Sequence, residues 1–191
     1  MSAVSGLLSR AGDHGTEQTT LLDPVARTTA MVRAHVDAVW RTLRRLGVPP
    51  ADLDDCVQRV FSTLARRIDC VESERERSFL LGIAVRVASD FRRSRRRRPE
   101  DATEPSELEL RAVESSPESL LDEKRKLELL DRLIARLPED LARVFVLYEL
   151  EGLTMSQISQ LLGLRSGTVA SRLRRARSRF EALCREMELS R

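Results

Sequence analysis

The residues most able to take part in chemistry are arginines, which are concentrated at two places in the chain. The first cluster runs from Arg172 to Arg179 and interleaves arginine with serine and apolar residues. The second comprises Arg92, Arg93 and the run 95–98. A guanidinium binds phosphate and can form two hydrogen bonds to a guanine edge, so both clusters indicate nucleic-acid binding. The alternative, which charge alone does not exclude, is that the arginines are solvated and bind no partner.

Groups that would support catalysis do not form a recognisable set. The sequence has no glycine-rich phosphate loop, no nucleophile motif with a plausible base and no carboxylate–histidine cluster. Cys56, Cys70 and Cys184 lack metal-ligand spacing, and an odd number of cysteines without a signal peptide indicates reduced thiols. His14 and His35 lie far apart. We therefore expect no enzyme activity, no cofactor, no metal, no membrane span and a cytoplasmic location.

The first arginine cluster lies in a segment whose sequence predicts two helices joined by a tight turn. Thr154 and Gln157 have the spacing of a capping box, which predicts a helix that begins just after Thr154. Gly163 supplies the left-handed residue that ends this helix, and Ser166 can cap the next one. The predicted turn is therefore only a few residues long.

The second of these helices separates apolar residues from arginines around its circumference. Its apolar positions recur at intervals of four and three: Val169, Leu173, Ala176, Phe180 and Leu183. The opposite face carries Ser171, Arg174, Arg175 and Ser178. A tight turn followed by an arginine-bearing helix is typical of a helix-turn-helix, and a plain amphipathic hairpin is the alternative.

This segment resembles the C-terminal, promoter-binding domain of the extracytoplasmic-function (ECF) sigma factors, a subfamily of the sigma-70 family. The family pattern is Leu-Pro-Glu, then Glu-Gly-Leu-Ser/Thr, then Gly-Thr-Val-x-Ser-Arg-Leu-x-Arg-Ala-Arg, and the chain carries it at 137–139, 151–154 and 167–177. Ala170 stands where members often have Lys or Arg. The resemblance implies contacts to the minus-thirty-five promoter element from Thr168, Ser171, Arg172, Arg174 and Arg175.

Composition favours an all-α protein. Charged residues make up 33% of the 191 residues and aromatics 4%, while glycine and proline cluster at breaks. We expect two small helical domains joined by a flexible acidic linker, the C-terminal one a four-helix domain with the helix-turn-helix. The net charge of +3 is small because this linker offsets two basic domains. The predicted divisions are a disordered tail 1–22, a domain 23–98, a linker 99–124 and a domain 125–191.

The N-terminal domain should contain three helices. The first begins at Pro24 and ends at Gly47, the second begins at about Asp52, and the third follows a polar interruption over 69–77. Their apolar faces comprise Val32, Val36, Val39, Leu43 and Leu46, then Leu53, Val57, Val60, Phe61, Leu64 and Ile68, then Phe79, Leu80, Ile83, Ala84, Val87 and Phe91.

Two stretches of this domain also resemble sigma factors. Residues 52–61 are similar to the segment that docks on the clamp helices of RNA polymerase, which implies docking by Asp54, Asp55, Gln58 and Phe61. Residues 79–93 resemble the helix that reads and opens the minus-ten element, which implies DNA contacts from Arg86, Ser89, Asp90, Arg92 and Arg93.

Together the resemblances imply an alternative sigma factor that directs promoter-specific transcription initiation. The implied partners are the clamp and flap regions of core RNA polymerase, promoter DNA and an anti-sigma factor, with no small-molecule substrate. In the family, the linker threads through the channel that RNA later occupies; a plain soluble spacer fits its composition equally well. The alternatives are a dimeric helix-turn-helix regulator that binds operator DNA by itself, and an interaction protein that does not touch DNA.

Overall fold

The computed structural model describes residues 24–97 and 119–188, and it describes side chains over 24–97 and 125–187. The predicted tail 1–22 and most of the predicted linker lie outside these residues. Within them the chain is all-helical, as its composition predicted, and no strand occurs. The helices are α1 (Pro24–Arg45), α2 (Pro50–Ala65), α3 (Glu76–Arg97), α4 (Ser119–Ala135), α5 (Glu139–Phe145), α6 (Met155–Leu162) and α7 (Ser166–Glu188).

Helices α1, α2 and α3 pack against one another around a shared apolar core. Gly47, with φ of 88°, leads the chain out of α1, and Pro50 opens α2 at a position where its missing N–H costs nothing. The most deeply buried side chains include Val39, Leu43, Leu46, Leu53, Val60, Leu64, Leu80 and Ala84. Val32, Val36, Val57, Phe61, Phe79 and Phe91 are only partly buried.

Cys56 belongs to this core. It is 2% exposed, and burial raises the pKa of its thiol. A thiol in this setting packs as a small apolar group.

Two short 3₁₀ turns, Ile68–Cys70 and Ser73–Arg75, connect α2 to α3. Arg27 on α1 holds this connection in place by donating to the carbonyl oxygens of Ile68 and Val71 and, at 3.0 Å, to Glu76 Oε1. The start of α3 is thereby tied to the first turn of α1.

Helices α4 to α7 form the second group. Helix α4 begins at Ser119, within the predicted linker 99–124. Leu120 and Leu121, followed by strong helix formers, extend the apolar pattern of α4 further toward the N-terminus than the acidic composition suggested. α5 continues into a π-helical segment, Val146–Leu150, and Gly152, with φ of 65°, then turns the chain toward α6.

The two groups of helices also pack against each other. α3 contacts α6, and α1 contacts α4. In α3 every residue from Leu80 to Val85 is buried, which a helix with a single apolar face would not show. Gly82 allows a close approach of α3 to α6, since a Cβ atom there would lie 3.2 Å from Leu161 Cγ. None of the described helices combines the length and apolar character needed to cross a membrane.

Replacing Thr154 with alanine should destabilise the C-terminal group of helices by about 1 kcal/mol, because the first turn of α6 loses its capping oxygen. Urea denaturation followed by circular dichroism measures this change. Ser156→Ala, at an exposed position in the same turn, is the control and should shift stability by less than about 0.5 kcal/mol. Equal losses in the two variants would contradict a stabilising cap.

Candidate nucleic-acid interface

Local hydrogen bonds define both ends of α6, its start at Thr154 and the turn at Gly163 that leads to α7. The backbone N–H of Gln157 donates to Thr154 Oγ1 at 3.2 Å, and the N–H of Thr154 donates to Gln157 Oε1 at 2.8 Å. These two bonds confirm the predicted capping box. Gly163 has φ of 64°, as predicted, and the N–H of Leu164 donates to the Ser159 carbonyl at 3.0 Å.

The inner face of α7 is the apolar stripe that the sequence predicted. Val169, Leu173, Ala176 and Leu183 are each at most 1% exposed. Phe180 is half-buried, and its ring stacks on Phe145 with the centroids 4.8 Å apart. This packing against α5 fixes the rotation of α7, because turning the helix would expose the stripe.

The outer face of α7 carries the candidate DNA contacts. Ser171, Arg174 and Arg175 are exposed, and neither arginine forms an ion pair with another described residue. Thr168 is half-buried at the start of the helix, and its carbonyl oxygen accepts a hydrogen bond from Ser171 Oγ at 3.0 Å. The helix therefore presents two guanidinium groups to solvent on a rigid support.

Arg172 and Arg177 flank this face and are held by carboxylates. Arg172 Nε lies 3.4 Å from Asp140 Oδ2. Arg177 Nε lies 2.6 Å from Glu149 Oε1, and its guanidinium carbon lies 5.4 Å from the centre of the Tyr148 ring. The hydrogen bond to Glu149 raises the pKa of the Arg177 guanidinium. These pairings across the domain are not visible in the sequence pattern.

The predicted minus-ten residues on α3 fall into two sets. Arg86, Asp90 and Arg93 are exposed. Ser89 and Arg92 are half-buried and lie against Glu139 at the start of α5. Burial lowers the pKa of the Arg92 guanidinium, although the Glu139 carboxylate opposes that effect.

The predicted docking residues lie on α2. Asp54, Asp55 and Gln58 are exposed, and Phe61 is half-buried. They occupy the outer side of the helix, whose inner side buries Leu53, Cys56, Val60 and Leu64.

A groove of about 600 Å³ between α2 and α3 brings some of the predicted docking residues close to some of the predicted minus-ten residues. Asp55 and Gln58 line it from α2, and Arg86 and Asp90 line it from α3. The groove is also lined by three arginines that the sequence analysis did not single out: Arg59, Arg66 and Arg67. Their only sequence signal is the concentration of arginine near the end of α2. Among the described residues, no group of His, Cys, Asp and Glu side chains is placed to hold a metal ion.

Comparisons with known proteins agree with this arrangement. Two family models match the chain: Sigma-70 region 2 over residues 31–98, and Sigma-70, region 4 over residues 127–180. The ECF RNA polymerase sigma-E factor of Escherichia coli K12 is 33% identical over 143 residues, which is 70% of this chain and 74% of the relative. The ECF RNA polymerase sigma factor SigE of Mycolicibacterium smegmatis is 28% identical over 150 residues, covering 78% of this chain and 58% of the relative.

Two solved structures share the fold. CnrH in complex with the cytosolic domain of CnrY has a TM-score of 0.61 and 22% identity, over 83% of this chain and 88% of the other. The sigma factor RpoE in complex with the anti-sigma factor NepR from Bartonella quintana has a TM-score of 0.66 and 18% identity, over 83% and 97%.

The two matched regions, on two groups of packed helices, define a transcription initiation factor of the sigma-70 type. Within that class the chain belongs to the ECF sigma factors. It is an alternative sigma factor that directs promoter-specific transcription initiation by RNA polymerase.

The two faces of α7 should respond differently to truncation. Leu173→Ala should cost about 2–5 kcal/mol in the free energy of unfolding, because the side chain is buried. Arg174→Ala and Arg175→Ala, at exposed neighbouring positions, should each change it by less than about 0.5 kcal/mol. Urea denaturation of the three variants measures the contrast, and a large loss in either arginine variant would mean that the outer face is part of the core.

Proposed function

We propose that the chain docks on core RNA polymerase through α2 and contacts two promoter elements with two different helices. α3 captures the melted minus-ten strand, and α7 reads the minus-thirty-five element as duplex. The observation that carries this proposal is the outer face of α7, where Arg174 and Arg175 are exposed without ion-pair partners among the described residues on a helix locked by its buried stripe.

Duplex readout suits α7. A helix fits the major groove, and an arginine there can donate two hydrogen bonds to a guanine. Arg175 lies on the outer face and is proposed to contact bases. Arg172, turned toward Asp140 at the side of the helix, is proposed to contact the phosphate backbone. Thr168, Ser171 and Arg174 are proposed to contact the same promoter element.

Recognition of unpaired bases suits the N-terminal domain. Binding a single strand requires a positive groove that follows the backbone and surfaces that receive bases. The groove between α2 and α3 offers Arg59, Arg66 and Arg86 for phosphates. Asp90 and Arg93 lie on the same helix as Arg86, and Ser89 and Arg92 extend the proposed surface toward α5.

The remaining features complete the proposal. Asp54, Asp55, Gln58 and Phe61 dock on the polymerase clamp, and the C-terminal domain contacts the flap. An anti-sigma factor is a further proposed partner, supported by the two similar structures, which are complexes of CnrH with CnrY and of RpoE with the anti-sigma factor NepR. We further propose that the chain is cytoplasmic, performs no catalysis itself, and uses neither a cofactor nor a small-molecule substrate.

The basic test is transcription from a candidate promoter by purified core RNA polymerase with and without this protein. Promoter-directed transcripts should require the protein. Operator binding by a dimer without any effect of core enzyme would instead identify a conventional helix-turn-helix regulator.

Arg175→Ala should reduce transcription selectively from promoters with the cognate minus-thirty-five sequence. The free energy that separates this sequence from its variants should fall by about 1–3 kcal/mol. Arg172→Ala should lower transcription more evenly across promoter variants, because a phosphate contact carries no sequence information. Transcription from a panel of minus-thirty-five promoter mutants shows how strongly each protein variant uses each promoter. If Arg175→Ala gives the wild-type ranking and rate, α7 does not read the promoter through this residue.

The double variant Asp54→Ala, Gln58→Ala should weaken binding to core RNA polymerase without loss of helix content, since both side chains are exposed. Fluorescence anisotropy with labelled protein measures the affinity, and circular dichroism checks the fold. Glu74→Ala, at an exposed site in the turn before α3, is the charge control. Unchanged core affinity in the double variant would show that docking uses another surface.

A further inference from the structure

A second groove lies between the start of α6 and the middle of α7, beside the outer face of α7. Its volume is about 340 Å³. The residues that line it are Met155 from α6 and Ala170, Leu173, Arg174, Arg177, Ser178 and Glu181 from α7. Because Arg174 belongs to the lining, the groove adjoins the surface that is proposed to contact the minus-thirty-five element.

Part of this groove is apolar and open to solvent. Leu173 is buried, whereas Ala170 and Met155 are exposed. Met155 keeps 36% of its surface accessible, which is unusual for a large hydrophobic side chain in the described part of the chain. Apolar surface gains free energy when it leaves water for an apolar neighbour, so these two side chains favour an apolar group in whatever enters the groove.

The charged residues of the lining disfavour a phosphate as the occupant. Arg177 Nε already lies 2.6 Å from Glu149 Oε1, and the carboxylate of Glu181 belongs to the lining. A phosphate in the groove would compete with Glu149 for Arg177 and would be repelled by Glu181. The DNA backbone is therefore a poor occupant, and a neutral group is favoured.

The major groove of DNA offers one apolar group, the C5-methyl of thymine. All the other groups that bases present there are hydrogen-bond donors or acceptors. An alanine side chain is short and apolar, so a helix can bring it into direct contact with this methyl group. Ala170 is such a residue on the exposed side of α7.

The position of Ala170 relative to Arg174 sets where this thymine should lie. Four residues advance a helix by about 6 Å and leave the two side chains only about 40° apart around its axis. Successive bases of one strand lie about 3.4 Å apart along the duplex. A thymine that contacts Ala170 should therefore lie about two base pairs from the group that Arg174 contacts.

We propose that Ala170 and Met155 receive the C5-methyl of a thymine in the minus-thirty-five element and thereby determine part of the promoter specificity. The proposal rests on the proposed function of α7. It adds apolar readout at one base pair to the hydrogen-bonded readout by Arg175. Selection of this thymine depends on a methyl group and not on charge, so it should change little with salt concentration.

The test uses holoenzyme assembled from core RNA polymerase and the full chain. Transcription of a barcoded promoter library, randomised over the minus-thirty-five region, first defines the preferred element. Each thymine of that element is then replaced, one at a time, by deoxyuridine, which lacks only the C5-methyl. The measured quantity is the ratio of transcription from the thymine template to transcription from the deoxyuridine template, at a holoenzyme concentration below saturation.

With the wild-type chain this ratio should be about four at one thymine, the gain that burial of one methyl group provides. Ala170→Gly removes the Cβ atom, and Met155→Gln replaces the apolar end of the side chain by an amide. Each change should bring the ratio toward one. Ala182→Gly, the same change at a position of α7 outside the groove lining, is the matched control and should keep the wild-type ratio.

The ratio compares two templates with the same protein, so a general loss of stability or of core binding in a variant cancels. An element without thymine, or a ratio close to one at every thymine, would overturn the methyl contact and leave readout by α7 intact. A wild-type ratio that persists in both groove variants would also overturn it, because the methyl would then be read elsewhere. A library that yields no preferred minus-thirty-five sequence would overturn the proposed function of α7 and the methyl contact with it.

Discussion

The relation between the two halves of this protein depends on one carboxylate that is withdrawn from water. Glu151 is tolerated in the interior because Arg45 from α1 and Arg77 from α3 reach it across the boundary between the domains. Breaking both contacts would leave an uncompensated charge in a low-dielectric site. The close approach of α6 to Gly82 of α3 accompanies this pairing, so charge and shape together set the position of the helix-turn-helix on the N-terminal domain.

The small net charge of the chain conceals how strictly its charges are segregated. Arginines occupy the outer face of α7, the groove between α2 and α3, and the N-terminal side of the contact between the two groups of helices. Carboxylates occupy the C-terminal side of the same contact. A chain that acts on promoter DNA therefore carries carboxylates of its own, placed against arginines of its N-terminal domain.

The two candidate DNA surfaces consequently differ in availability. The outer face of α7 is exposed while the domains are in contact, because the helix packs through the apolar stripe on its opposite face. The surface on α3 is shared between solvent and the C-terminal domain, because Ser89 and Arg92 lie at the interface and Arg86 and Arg93 lie beyond it.

The sequence alone determined the local features of the protein. Helical periodicity identified the α7 stripe and its exposed opposite face, and the spacing of Thr154, Gln157 and Gly163 defined the turn, because caps and amphipathic faces depend on neighbours within a few residues. Only the tertiary structure revealed the burial of Glu151, the second buried side of α3 and the position of Glu139 against Arg92. These features join residues that lie far apart in sequence, so no local pattern distinguishes a carboxylate that will be buried against two arginines from one that remains in water.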